Sequence, residues 1–388
     1  MSAARPALLF YCQHSVGLGH LVRSLALAEA LAERFDVTLL SGGARAEDIR
    51  PPRGVELVAL PALGMTGDGA LVSRDAGLSV DDAFALRRRM LTDALHATRP
   101  AVLLVEMFPF GRKKFAPELV PLLDAAMAAG PDRPLVACSL RDILVSRGAR
   151  QEAYDERACR IANRYFDAIL VHADPRLARL EDSFHSSTPL RVAVHYTGFV
   201  VPSGAPAPVA RRGGIVVSAG GGIVGGPLVR AAVAAHRARG AAEPMRIVAG
   251  PFLPDDEWRA LEREAAVTDG LEAVRSVPSL RDELAGAALS ISQCGYNTAL
   301  DLLRTRVPAL VVPYAPVGED EQTRRARTFE ALGAVRVLDP ARLDGDTLAA
   351  AIDATLPFRP RALDIGLDGA ADSARLLERL AGDAEAAA

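Results

Sequence analysis

Lysine is nearly missing from this chain of 388 residues. Of 45 basic residues only Lys113 and Lys114 are lysine, leaving 45 − 2 = 43 arginines. With so much alanine, that bias points to a GC-rich genome rather than a functional demand. No run approaches 18 uninterrupted apolar positions although 50% of the chain is hydrophobic, which argues against a membrane span. The start, MSAARPALLFYC, is too short in its apolar run for a signal peptide and reads as a first strand. Cysteine is scarce: Cys12, Cys138, Cys159 and Cys294 stand far apart, with no C-x-x-C spacing for zinc or redox work. Four lone thiols fit a reducing cytoplasm. The net charge of −3 argues against a general nucleic-acid binder and leaves local basic patches open. No convincing D-x-D metal site is present, since Asp344-Gly345-Asp346 falls late in the chain at an expected helix cap.

What is there centres on residues 288–326, ALSISQCGYNTALDLLRTRVPALVVPYAPVGEDEQTRRA. It reads as a strand over Leu289–Ser292, a glycine turn, a helix carrying Asp301, a strand over Ala309–Val312, and a polar segment opening another helix. In an open parallel sheet ligands sit beyond the carboxyl ends of strands, so Gln293 to Thr298 and Tyr314 to Gln322 would border one crevice. A helix starting near Asn297 or Thr298 offers N–H groups and a positive dipole end to a phosphate. Asp301 would accept from two vicinal hydroxyls of a ribose, and Gln322 would read sugar hydroxyls. The plain alternative is that Asn297 and Thr298 cap the helix and Asp301 serves its dipole.

Earlier, a first strand over Ala7–Cys12 leads through QHSVGLGH into a helix with Leu21, Leu25, Ala28 and Leu31 on one face. Val22 replaces the third glycine of a dinucleotide motif, which disfavours an NAD enzyme. His20 falls at the helix N-terminus, whose field keeps an imidazole neutral, as a general base requires. His14 is a second candidate base, or an acceptor or loop-ordering residue. Residues 64–82 read as a long polar loop. A strand over Ala101–Val105 ends in Glu106-Met107-Phe108-Pro109-Phe110-Gly111, followed by Arg112-Lys113-Lys114, which either attract an anionic acceptor or membrane surface or form a wet loop. Further strands fall at Leu135–Ser139, Ala168–His172 and Val192–Thr197, with Asp174-Pro175 as a helix start.

Residues 202–214, PSGAPAPVARRGG, mark a linker. After it, a strand over Ile215–Ser218 runs into AGGGIVGGP, where glycine lets backbone N–H groups approach a pyrophosphate. Strands follow at Arg246–Ala249 and Val335–Leu338, then helices at Asp346–Leu356 and Asp372–Leu380.

The pattern S-Q-C-G-Y-N-T-A-L-D, then V-P-A-L-V-V-P, then E-D-E-Q-T-R-R-A resembles the donor half of GT-B glycosyltransferases, in the MurG-like branch whose bacterial members carry a GYNT motif. The resemblance implies an α/β fold of GT-B architecture with two Rossmann-like domains facing across a cleft. Residues 1–201 would bind acceptor, 215–360 the nucleotide sugar, and 361–388 would pack back on the first domain. Carried over by position, donor binding falls on Gly220, Gly221, Gly222, Gly225, Val277, Gly295, Tyr296, Asn297, Thr298, Asp301, Glu319 and Gln322. His20 becomes the base and Glu106 its partner, with a solvated loop acid as the plain reading of Glu106. Gly19, Phe108, Arg112, Arg141 and Asp142 become acceptor residues; Arg141 and Asp142 also read as a structural ion pair. One departure stands out: Thr197-Gly198-Phe199-Val200-Val201 lacks the arginine that MurG-type enzymes place there for the donor phosphates. Helix dipoles or Arg211, Arg324 or Arg325 would then meet that charge.

The expectation is an inverting glycosyltransferase without metal or cofactor, moving a sugar from a UDP or TDP donor to a hydroxyl or amine. The acceptor would be a small molecule or lipid-linked, the location cytoplasmic, with peripheral membrane contact allowed and no nucleic-acid partner. Rival readings are a nucleotide-sugar epimerase on the same fold and a non-catalytic nucleotide-binding protein.

Overall fold

The computed structural model describes residues 5–15, 18–44, 50–66, 69–204, 213–316 and 320–387. Most of the expected linker, together with Gly17, Arg211 and Glu319, lies outside them. The chain divides into two compact units, one of Met1–Ser203 with Ile365–Ala388, the other of Gly204–Asp364.

In the first unit the strands are β1 (Ala7–Cys12), β2 (Asp36–Ser41), β3 (Val55–Ala59), β4 (Leu63–Met65), β5 (Leu71–Ser73), β6 (Val102–Glu106), β7 (Leu135–Arg141), β8 (Ala168–His172) and β9 (Ala193–Tyr196). All but β4 and β5 form one parallel sheet in the order β3-β2-β1-β6-β7-β8-β9. Its central strands are buried along nearly their whole length because helices cover both faces, and β6 and β8 turn polar only at their last residues, Glu106 and His172. Those helices are α1 (Gly19–Leu31), α2 (Val80–Thr98), α3 (Ala116–Ala128) and α4 (Gln151–Tyr165). A late helix, Gly369–Ala387, lies against α1 and brings Ala374, Leu377 and Ala381 into the core with Leu21, Leu25 and Ala28.

The second unit holds β10 (Ile215–Ser218), β11 (Met245–Val248), β12 (Leu271–Val274), β13 (Leu289–Ser292), β14 (Ala309–Val311) and β15 (Arg336–Val337). They form a parallel sheet in the order β12-β11-β10-β13-β14-β15. Its helices are α5 (Gly226–Ala238), α6 (Asp255–Val267), α7 (Leu280–Ala285), α8 (Tyr296–Thr305), α9 (Glu321–Ala331) and α10 (Gly345–Thr355), and the late helix of the first unit is α11. Asp344 caps α10 by accepting from the Thr347 N–H at 2.7 Å.

Two expectations need correction. Residues 64–82 are not one loop: β4 and β5 pair as a short antiparallel hairpin and α2 already starts at Val80, capped by Ser79. Asp174-Pro175 opens a turn rather than a helix, because the Asp174 carboxylate is committed to the N–H, Nε and Nη2 of Arg176. Val277 lies half-buried on the loop between β12 and α7.

Strand order locates the sites. From β1 the chain builds outward through β2 and β3, then returns to the other side of β1 with β6; from β10 it builds through β11 and β12 and returns with β13. Each reversal leaves a gap between neighbouring loops beyond the carboxyl ends of the strands. His20 follows β1 and Glu106 ends β6; the glycine loop follows β10 and Gln293 to Thr298 follow β13.

Candidate functional site

In the first unit β1 ends at Cys12 and α1 begins at Gly19, which is exposed, so His20 is the second helical residue. Its Nδ1 lies 2.5 Å from Oε1 of Glu106, the last residue of β6, which is 0% exposed. An ionised carboxylate only accepts, so Nδ1 carries the proton and Nε2 keeps its lone pair. Nε2 has no hydrogen-bond partner among the described residues, and the side chain keeps 22% of its surface exposed. Two guanidiniums share the carboxylate. Arg23 donates through Nη2 to Oε1, and Arg112 places Nε 3.6 Å from Oε2. Burial and the Arg112 charge hold the imidazole at about 3, below its ordinary 6.5, against the pull of Glu106. Burial alone would raise the Glu106 carboxyl, but His20 and the two arginines outweigh it and leave it at about 2.

His14 sits elsewhere. It is 3% exposed, its Nε2 bonds the Ala44 carbonyl at 2.9 Å, and the structure does not join it to the dyad by a hydrogen bond. Its location suits ordering of the loop. Phe108 is 1% exposed and belongs to the core, so its ring does not line an acceptor surface. Arg112, expected to face an acceptor, is turned instead to Glu106. Arg141 is half-buried at the end of β7, and Asp142 follows it into the interior. Sequence reasoning missed Arg23, three residues after His20 on α1. The i, i+3 spacing that puts both on one helix face was the available signal.

Two neighbouring strands extend this polar layer. Ser139 pairs in register with Glu106, and its hydroxyl meets His172 Nε2 at 2.8 Å, while His172 Nδ1 meets Thr197 Oγ1 at 3.0 Å. Burial, then the Arg23 charge, holds His172 at about 3. Both histidines therefore titrate lower in the folded chain than at 6.5 in the unfolded one. Between pH 6.5 and 3 the unfolded chain binds protons that the folded chain refuses, so acidification costs stability. Glu106 adds the same sign below 4.5; Asp301, raised to about 6 by burial, opposes it from pH 6 down to 3.8. The melting temperature is expected to fall from pH 7 to 5, less steeply in His172→Gln; a flat profile in the wild type would contradict this.

In the second unit α8 starts at Tyr296 with Gly295 as N-cap, and no side chain caps it. The capping role considered for Asn297 and Thr298 is thus not filled; they are the second and third helical residues. Gly295 has an ordinary φ of −63°, and a Cβ there would meet nothing within 4 Å. Neither conformation nor internal packing requires this glycine, and it leaves room for a ligand to approach the backbone. The carboxylate of Asp301, half-buried one turn further, accepts no hydrogen bond among the described residues. Its raised pKa reflects burial first, moderated by Arg304 and Arg281.

Gln322 ties the two loops together. Its Oε1 accepts from the N–H groups of Cys294 at 2.9 Å and Tyr314 at 3.1 Å, which leaves its amide donors for a ligand. Gln293 donates to the Val224 carbonyl at 3.3 Å and so joins the β13 end to the glycine loop. Within that loop the glycines divide by role. A Cβ on Gly222 would strike Leu253 and Gly250, and one on Gly225 would strike Ala219, so both are packing positions, whereas Gly220 is exposed and Gly221 half-buried. Tyr296 is buried beneath the Arg325 guanidinium, 5.9 Å from its ring. Arg325 itself bonds the Cys294 carbonyl and Glu321 inside the unit, so it is not the arginine that meets donor phosphates.

Residues 260–364 match the glycosyltransferase family 28 C-terminal domain. Over 353 residues the chain is 26% identical to the UDP-N-acetylglucosamine--N-acetylmuramyl-(pentapeptide) pyrophosphoryl-undecaprenol N-acetylglucosamine transferase of Paramagnetospirillum magneticum, covering 89% of this chain and 87% of that one. Among solved structures, CalG4, the calicheamicin glycosyltransferase, aligns over 98% of this chain and 95% of its own, with a TM-score of 0.57 and 17% identity. MurG of Acinetobacter baumannii aligns over 99% and 96%, with a TM-score of 0.51 and 14% identity. The fold is that of GT-B proteins, and the chain is similar along most of its length to a MurG-type transferase, with the family 28 match falling inside its second unit.

Proposed function

We propose that this glycosyltransferase moves a sugar with inversion from a UDP or TDP donor to a hydroxyl or amine of a phosphate-bearing, lipid-linked acceptor. The observation that carries it is the His20–Glu106 contact, which leaves Nε2 as a neutral base at the switch point of the first sheet. Nε2 takes the acceptor proton as the acceptor oxygen or nitrogen bonds the anomeric carbon. The bond from that carbon to the nucleotide diphosphate breaks on the opposite face, which inverts the centre. Asp301 holds the ribose hydroxyls, Gln322 the sugar, and backbone N–H groups of Gly220, Gly221 and the α8 terminus meet the diphosphate charge. The reading calls on no metal or cofactor.

Charge supports the acceptor class. Lys113 and Arg147 both lie over the Tyr154 ring, at 5.4 and 4.8 Å, and Lys113 is lowered by burial and by Arg147, Arg150, Lys114 and Arg157 crowding it. Two acids of the same helix are engaged elsewhere: Asp155 with Gln151 and His185, Glu156 with Ser186, Ser187 and Thr188. An anionic acceptor would balance this cluster, and the Paramagnetospirillum relative is named for a pyrophosphoryl-undecaprenol acceptor.

Melting curves with UDP, TDP, GDP and ADP test the donor site. A nucleotide at ~100 times its dissociation constant adds roughly 2.7 kcal/mol of stability. UDP or TDP is expected to raise the melting temperature, and Asp301→Ala to abolish the rise. No shift with any nucleotide would remove the donor assignment.

A further inference from the structure

We propose that Arg23 is a positioning residue for the transfer: it fixes the Glu106 carboxylate against Nδ1 of His20 and offsets its charge, so that the imidazole rests neutral with Nε2 open. This rests on the assignment of His20 as the base.

A histidine beside a lone buried carboxylate is drawn toward the imidazolium, which has no lone pair to take a proton. Here one negative charge on Glu106 faces two positive ones, Arg23 on Oε1 and Arg112 3.6 Å from Oε2. The local sum is positive, so a second ring N–H proton on His20 is disfavoured. Arg23 is 3% exposed and stands one turn after His20 on α1, so its stem is locked by the helix that carries the base. Its Nη2 is 3.4 Å from Nδ1 and bonds the same oxygen that receives the imidazole proton. One guanidinium nitrogen therefore orients the acid and screens the ring.

The other charged or titratable groups around the dyad are Arg112 beyond β6, His14 after β1, Cys12 at the end of β1, Cys138 on β7 and His172 at the end of β8. Burial pushes the Cys12 thiol up to about 12 and the Cys138 thiol well up, each reinforced by Glu106, and holds both His14 and His172 low. All four rest uncharged near neutral pH, so Arg23 and Arg112 are the cations that set the field on His20.

The test is an NMR titration of His20 in the full chain, alongside the acid limb of the kcat/KM profile for sugar transfer. In Arg23→Met the His20 pKa is expected to rise by about one to three units, the acid limb to follow it, and Arg23→Lys to return both toward wild type. Should methionine prevent folding, Arg23→Gln, which keeps a donor but no charge, carries the same expectation. An unchanged His20 titration in a folded, uncharged variant would overturn the proposal and leave Arg23 a packing residue. A raised titration with an unmoved acid limb would support the hold of Arg23 on the ring and overturn the base assignment of His20.

Discussion

Exchanging His20 for alanine is expected to lower turnover about 10²- to 10⁴-fold, the range that general-base catalysis contributes. The rise in melting temperature with nucleotide should survive the change. The two effects separate because His20 belongs to the first unit and meets Glu106, Arg23 and the end of β1, whereas the donor groups Gly295, Asp301 and Gln322 belong to the second. Glu106→Gln should lower turnover less, since an amide still accepts from Nδ1–H but leaves Arg23 and Arg112 without their counter-charge. Turnover by the His20 variant equal to wild type would end the base assignment; loss of nucleotide binding in that variant would show that the residue serves the donor.

The largest loss of stability is expected from Arg87→Met. Arg87 and Glu118 are both 0% exposed, and the guanidinium donates to both Glu118 oxygens at 2.6 and 2.7 Å, to the Gly42 and Pro61 carbonyls at 2.8 and 2.7 Å, and to Gln13 Oε1 at 2.7 Å. Tyr11 donates to the same carboxylate. Removing the cation strands a buried carboxylate and several acceptors, at a cost of about 3–5 kcal/mol. Changing both partners, Arg87→Met with Glu118→Leu, should recover much of the loss, because no uncompensated charge is then left inside. Urea titrations of the single and double variants decide it; a double variant no more stable than Arg87→Met would contradict the account.

How much of this could be read from residues alone depended on the kind of signal. The apolar run at 215–217 and the alternation of Leu289 and Ile291 with small serines made Ile215–Ser218 and Leu289–Ser292 legible to the residue. Polar groups at the ends of such strands, Glu106 and Gln293, announced the ligand side of each sheet. The hairpin of β4 and β5 was not legible because two three-residue strands, the first with an internal glycine, carry no periodicity. Direction was also hidden. Nothing in the order Phe108-Pro109-Phe110-Gly111-Arg112 says that the phenylalanine turns to the core and the arginine back to Glu106; the left-handed backbone at Met107 and Arg112, φ 64° and 55°, bends this segment. Arg23 was concealed by the apolar residues around it on α1, where a charge reads as a solvated face until its acid partner is seen. Gln322 was legible as a polar group near the carboxyl ends of the strands, but not that its carbonyl oxygen joins two loops.

The route of the chain through the first unit carries one more consequence. Phe199 donates to the Gly366 carbonyl at 2.7 Å, Gly369 donates to the Phe199 carbonyl at 3.1 Å, and Val200 bridges Asp368, so the outgoing and returning segments run side by side. Gly198, at φ 81°, permits this closeness, since a Cβ there would press on the Gly366 carbonyl. In genetic terms the second unit is an insertion: 161 residues, Gly204–Asp364 (364 − 204 + 1), interrupt a domain whose two broken ends already lie together. The second unit is thus a cassette whose replacement, at Ser203 and Ile365, would cut no strand or helix of the first.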